Sequence, residues 1–224
     1  MATANPEGGD YSVTPMDDAM LTRMLHVTLT FDAKSWATWA TRAGVDPRGI
    51  SFVLTYPEAV TGRRTTARSL TQFFEQIREL PDLKAEADLV HTLAMSSLDD
   101  VTAATFMSFV ADNLSELIDP EEILEAEDFK SIAKRIERLA ETKGGGKRVD
   151  RLSTVCTRLA LAVTRPGYAP GERHAENLVS FLMQKVLPND LRVALHKDLL
   201  ADGTEAVRLM LRDKRLAELI TAGM

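Results

Sequence analysis

Along most of this chain apolar residues recur at steps of three and four, and one stretch departs from that rhythm. Leu25-His26-Val27-Thr28-Leu29-Thr30 alternates apolar with polar and is rich in β-branched side chains, the period of a strand. Just after it, Asp32 is placed to cap a helix carrying Trp36, Trp39 and Ala40 on one side. The run Gly44-Val45-Asp46-Pro47-Arg48-Gly49 breaks that helix, and another short segment begins at Ile50 and reaches Leu54. Thr55-Tyr56-Pro57 and Gly62 mark a loop. Thr65 or Thr66 can then cap a helix through Leu70, Phe73, Phe74 and Ile77, which Pro81 ends.

Beyond this point the period is helical almost to the end. Val101, Phe106, Phe109, Val110, Leu114, Leu117 and Ile118 predict one amphipathic helix. Ile132, Ile136 and Leu139 predict the next, and Leu152, Val155, Leu159 and Val163 another. Leu178, Phe181, Leu182 and Val186 predict a helix stopped by Pro188. Leu191, Leu195 and Leu199, then Val207, Met210 and Leu211, then Leu216, Leu219 and Ile220 fill the C-terminal part. The expected fold class is mainly α, with a short strand remnant of an α/β core, a helical lid and a C-terminal helical bundle. A sheet of one strand is not viable alone, so its neighbours are expected to lie outside this sequence.

Charge divides the chain unevenly. Basic residues number nine against ten acidic ones over 1–85, four against fourteen over 86–142, and fourteen against nine over 143–224. The acidic middle disfavours binding of nucleic acid along the whole chain, and the polarity suits packing against differently charged partners. No stretch approaches the roughly 20 apolar residues of a membrane span, and no basic-then-apolar leader opens the sequence. The lone Cys156 excludes an internal disulfide, so a reducing cytoplasm is the expected setting. It shares a helical face with Leu152 and Leu159, which makes a buried, inert thiol its expected state. His26, His91, His174 and His196 share no ligand spacing, and no metal site is expected. Lys143, Lys147, Arg148 and Arg151 flank Gly144-Gly145-Gly146 without interleaved aromatics, as a solvated linker would.

Candidate chemistry gathers near the start. Asn5-Pro6 precedes Gly9-Asp10-Tyr11, and Asp17-x-Ala19-x-x-x-Arg23 leads straight into the alternating stretch. An Asn at a strand end can orient a water beside a phosphate. An Arg leaving a helix can present its guanidinium fork to phosphate oxygens held by a neighbouring subunit. This order of motifs resembles the segment of MoxR-like AAA+ ATPases that runs from sensor 1 to the arginine finger. The later order agrees: a helix with two tryptophans, Tyr56-Pro57-Glu58, and then Thr65-Thr66-Ala67-Arg68-Ser69-Leu70, which is similar to the sensor-2 turn of the AAA+ lid. The resemblance covers roughly residues 2 to 80.

The resemblance implies Asn5 as sensor 1, Arg23 as the finger acting in trans, and Arg68 as sensor 2 on the γ-phosphate. Arg63 and Arg64 compete with Arg68, because Ala67 stands where the family usually has proline. Arg68 is favoured by its place in the first helical turn, where N–H groups and the positive dipole end attract anions. The implied divisions are 1–31 for the end of the ATPase core, 32–120 for the lid and 121–224 for a C-terminal helical region. ATP and Mg²⁺ are the implied cofactors. Sister subunits in a ring and a protein client, of which von Willebrand-type domain proteins are one kind, are the implied partners.

One departure from the family is large. The Gly-x-x-x-x-Gly-Lys-Ser/Thr loop that cradles phosphates is nowhere in the sequence, and Gly144-Gly145-Gly146-Lys147-Arg148 has the wrong spacing. A fragment, a split gene product or an internal-start product is the expectation that follows. The alternative is a non-catalytic helical module that binds a partner.

Overall fold

Helix-starting side chains punctuate the chain. The computed structural model describes residues 17–61, 64–112, 117–141 and 147–222. In it Asp17, Asp32, Asp46, Thr66, Asp99, Asp128 and Thr204 each accept a backbone N–H in the first turn that follows. The helices they and other turns begin are α1 (Asp18–Leu21), α2 (Ala33–Ala43), α3 (Pro47–Thr55), α4 (Ala67–Ile77), α5 (Ala87–Ser97) and α6 (Asp100–Ala111). Then come α7 (Pro120–Leu124), α8 (Phe129–Ala140), α9 (Val149–Thr164), α10 (Glu172–Leu182), α11 (Asn189–Asp202), α12 (Glu205–Met210) and α13 (Lys214–Ala222). The fold is mainly α.

The strand expected at Leu25–Thr30 is not formed. Those residues run as exposed, unpaired chain, with Leu25 at 93%, Val27 at 72% and Leu29 at 86% exposure. Alternation reports a face able to be buried, whereas a ladder also needs an edge to pair with. No strand among the described residues offers one; the one β contact is an isolated bridge between Glu141 and Lys147.

Two apolar cores are built. The first, from α2 to α6, is aromatic: Phe73 and Phe52 meet Phe106 edge-on at 4.9 and 5.1 Å between ring centroids. The second gathers α7 to α13 around α9, through Leu152, Leu159, Leu178, Phe181 and Leu195. Helix α9 joins them, packing on α8 and α11 and also on α2 and α3. Thr55 Oγ1 and Thr154 Oγ1 share a hydrogen bond of 3.0 Å across that junction.

Three further expectations are corrected. The helix foreseen from Val101 to Ile118 ends at Ala111, and Leu117 and Ile118 are non-helical members of the second core. The apolar period runs on because both sides are buried, each in a different core. The helix foreseen to Val186 stops at Leu182, because buried Arg192 gathers the carbonyls that follow. Its guanidinium donates to Leu182 O at 2.7 Å and to Gln184 O and Leu187 O at 3.0 Å. Finally, the run 44–49 is a break of three residues only: Gly44 ends α2 at φ 71°, and Asp46 caps α3, which begins at Pro47. Gly49 therefore lies within a helix.

Candidate functional site

Asn5 lies outside the described residues, as does Arg63. Arg23 follows the short helix α1, whose first turn Asp17 caps through Ala19 N–H at 3.1 Å. His26 Nε2 meets Leu21 O at 2.8 Å and closes the turn that carries Arg23. The Arg23 side chain is exposed and has no hydrogen bond or ion pair among the described residues.

Arg68 is the second residue of α4 and is exposed. Thr66 rather than Thr65 caps this helix. Ser69 N–H donates to Thr66 Oγ1 at 3.2 Å, and Thr66 N–H donates to Ser69 Oγ at 2.8 Å. Thr65 is wholly buried and serves α6: its hydroxyl donates to Asp99 Oδ2 and accepts Asp99 N–H at 3.0 Å. Burial would raise the Asp99 carboxyl, but hydrogen bonds from Thr65 and Thr102 hold it below the usual aspartate range. The turn before Arg68 is thereby fixed to the far side of the first core. Sequence reasoning missed this anchor, since 34 residues separate its two members and no short spacing announces it.

Among the rivals, Arg64 is occupied. Its guanidinium donates to Ser96 O at 2.8 Å and caps the end of α5. Arg68 has no hydrogen bond or ion pair among the described residues, so its fork is open to an anion from outside. Among the described residues no hydrogen bond or ion pair joins Arg68 to Arg23.

Several other basic side chains are tied into the fold, while Arg42 and Arg138 are exposed and, like Arg68, have no hydrogen bond or ion pair among the described residues. A cleft of about 600 Å³ between the cores is lined by Arg48, Arg78 and Arg158. There Arg48 pairs with Asp46 at 2.6 Å and donates to Leu80 O at 2.6 Å, Arg78 donates to Gly44 O at 2.5 Å, and Arg158 pairs with Asp119. Within the basic cluster of the sequence, Arg148 pairs with Asp150 at 2.7 Å. Arg151 Nε is buried without a hydrogen-bond partner, and burial followed by the Arg148 charge lowers its pKa. Cys156 is buried, and desolvation pushes its thiol up to about 12. Trp36 is core and Trp39 is 51% exposed, so the two tryptophans face different surroundings.

A nucleotide–Mg²⁺ complex needs a cradle of backbone N–H groups, a lysine and acidic ligands for the ion. The described residues contain no group of three His, Cys, Asp or Glu suited to a metal ion, and the phosphate loop is missing from the sequence. They supply isolated arginine contacts only, which do not amount to a site for that complex. Compared with protein-family models, with characterised proteins and with solved structures, the chain has no match to any of them.

Proposed function

We propose that this chain is the C-terminal part of a MoxR-like AAA+ ATPase that couples ATP hydrolysis to remodelling of a protein partner. The observation that carries the reading is Arg68: an exposed, unpaired guanidinium in the first turn of α4, beside an Arg64 already spent on α5. A cation so placed suits a phosphate presented from another part of the ATPase. Arg23, equally unpaired and on a turn outside both cores, suits a phosphate held by a sister subunit of a ring. ATP and Mg²⁺ would be held by residues that this chain does not contain, and the chain alone is not hydrolysis-competent. The client is a protein, with von Willebrand-type domain proteins one candidate class.

The test uses an ATPase assembled from this chain and a core that bears the phosphate loop. Arg23→Ala should lower turnover by about 10³-fold or more while nucleotide affinity is kept, as for other arginine fingers. Arg68→Ala should weaken ATP binding. Wild-type turnover in Arg23→Ala removes the finger assignment.

A second reading has its own observation. The exposed apolar run Leu25–Phe31 would serve a helical adaptor module that meets a partner without catalysis.

A further inference from the structure

Leu25, Val27, Leu29 and Phe31 leave an alternating apolar row in exposed chain whose backbone N–H and C=O groups pair with no other backbone group among the described residues. No charge lies between Arg23 and Asp32 to discourage pairing with another edge, which is how natural edge strands are protected. We propose that this segment pairs antiparallel with the same segment of a second copy, about a two-fold axis at Thr28.

Three observations select that occupant and that register. The polarity pattern is symmetric about Thr28: Leu25 stands opposite the partner's Phe31, Val27 opposite the partner's Leu29, and His26 opposite the partner's Thr30. Every apolar residue meets an apolar one, and every polar residue a polar one. The ends carry opposite charge, so antiparallel pairing brings Arg23 near the partner's Asp32, whereas parallel pairing sets like beside like. Asp32 accepts hydrogen bonds from Ser35, which hold its carboxyl below the usual aspartate range. The third observation is a place for the apolar face to rest. Phe31 lines a cleft of about 670 Å³ whose apolar part is Ala33, Leu54 and Pro57 and whose rim carries Thr30, Asp32, Lys34 and Thr157, and the partner's Leu25 would lie beside Phe31 over the apolar part.

The proposal concerns this chain by itself and does not rest on the nucleotide reading, under which strands of the rest of the ATPase core would compete for the same edges; with no core or nucleotide present, either can fail without the other. The experiment uses the full 224-residue chain. Light scattering after size exclusion should give a dimer, and Val27→Lys/Leu29→Lys should give a monomer, with circular dichroism checking that the helices persist. Thr28→Cys tests the register. On the axis the two Cα atoms stand about 4.5 or 5.5 Å apart, within disulfide range. Mild oxidation should therefore trap a covalent dimer. Leu25→Cys alone should not be trapped, since six positions of offset separate its two copies by roughly 20 Å. Leu25→Cys/Phe31→Cys should restore trapping. Buried Cys156 does not compete for the oxidant. A monomeric wild type, a dimer that Thr28→Cys fails to trap, or equal trapping by Leu25→Cys overturns the proposal.

Discussion

Gly49 shows how tightly a single position can be set. It is helical and needs no unusual φ, yet a Cβ there would lie 2.4 Å from Phe74 Cγ. The obstacle is a ring that also meets Trp36, Phe52, Phe73 and Phe106, so it has no free direction in which to yield. Gly49→Ala should therefore destabilise the first core by about 1 to 3 kcal/mol, although alanine is the better helix former. Urea unfolding measures it, and an unchanged midpoint would mean that α3 and α4 separate at little cost. From the sequence this glycine reads as part of a break. A close approach between helices 25 residues apart leaves no mark on local periodicity.

Among the elements, those with a strong apolar stripe were legible: α2, α4 and α8, each with a side-chain cap, and the uncapped α9 begin or run where spacing predicts. What spacing could not show was which core a residue joins, as for Leu117 and Ile118, or whether an alternating run finds a partner, as for Leu25–Thr30. Arg68 could be picked out in the sequence, but not the elimination of Arg64 or the anchor behind it, because both depend on α5 and α6. That anchor has a measurable pH signature. Asp99 is depressed in the fold, so its contribution to stability is present above the unfolded value near 3.9 and is lost as pH falls through its folded pKa. Asp99→Ala removes the α6 cap and leaves the buried Thr65 hydroxyl without its acceptor. We expect a loss of about 1 to 2 kcal/mol at neutral pH, and a smaller difference from wild type in strong acid. Equal loss at both pH values would show that packing, and not the carboxylate, joins the two helix starts.

For the whole molecule the question is what two cores joined by α9, with Arg23 and Arg68 among its open arginines, can bind unaided. A triphosphate meeting Arg68 gains charge-assisted hydrogen bonds of roughly 1.5 to 3 kcal/mol, and the finger reading gives Arg23 to a different subunit's nucleotide, so it adds no second contact to the same ligand. Association gives up roughly 4 kcal/mol or more of rigid-body freedom before any contact registers as affinity. The balance leaves a dissociation constant in the millimolar range or weaker, since 1 mM already corresponds to about 4 kcal/mol. Titrating the chain with a non-hydrolysable ATP analogue and Mg²⁺ in a calorimeter should show no saturation at micromolar concentrations. The same titration with a phosphate-loop core present should saturate, and Arg68→Ala should then weaken it, because only in that setting does the guanidinium add to a cradle already formed. Micromolar binding by the chain alone would place a nucleotide site among residues assigned here to packing, with the Arg48, Arg78 and Arg158 cleft the first place to look.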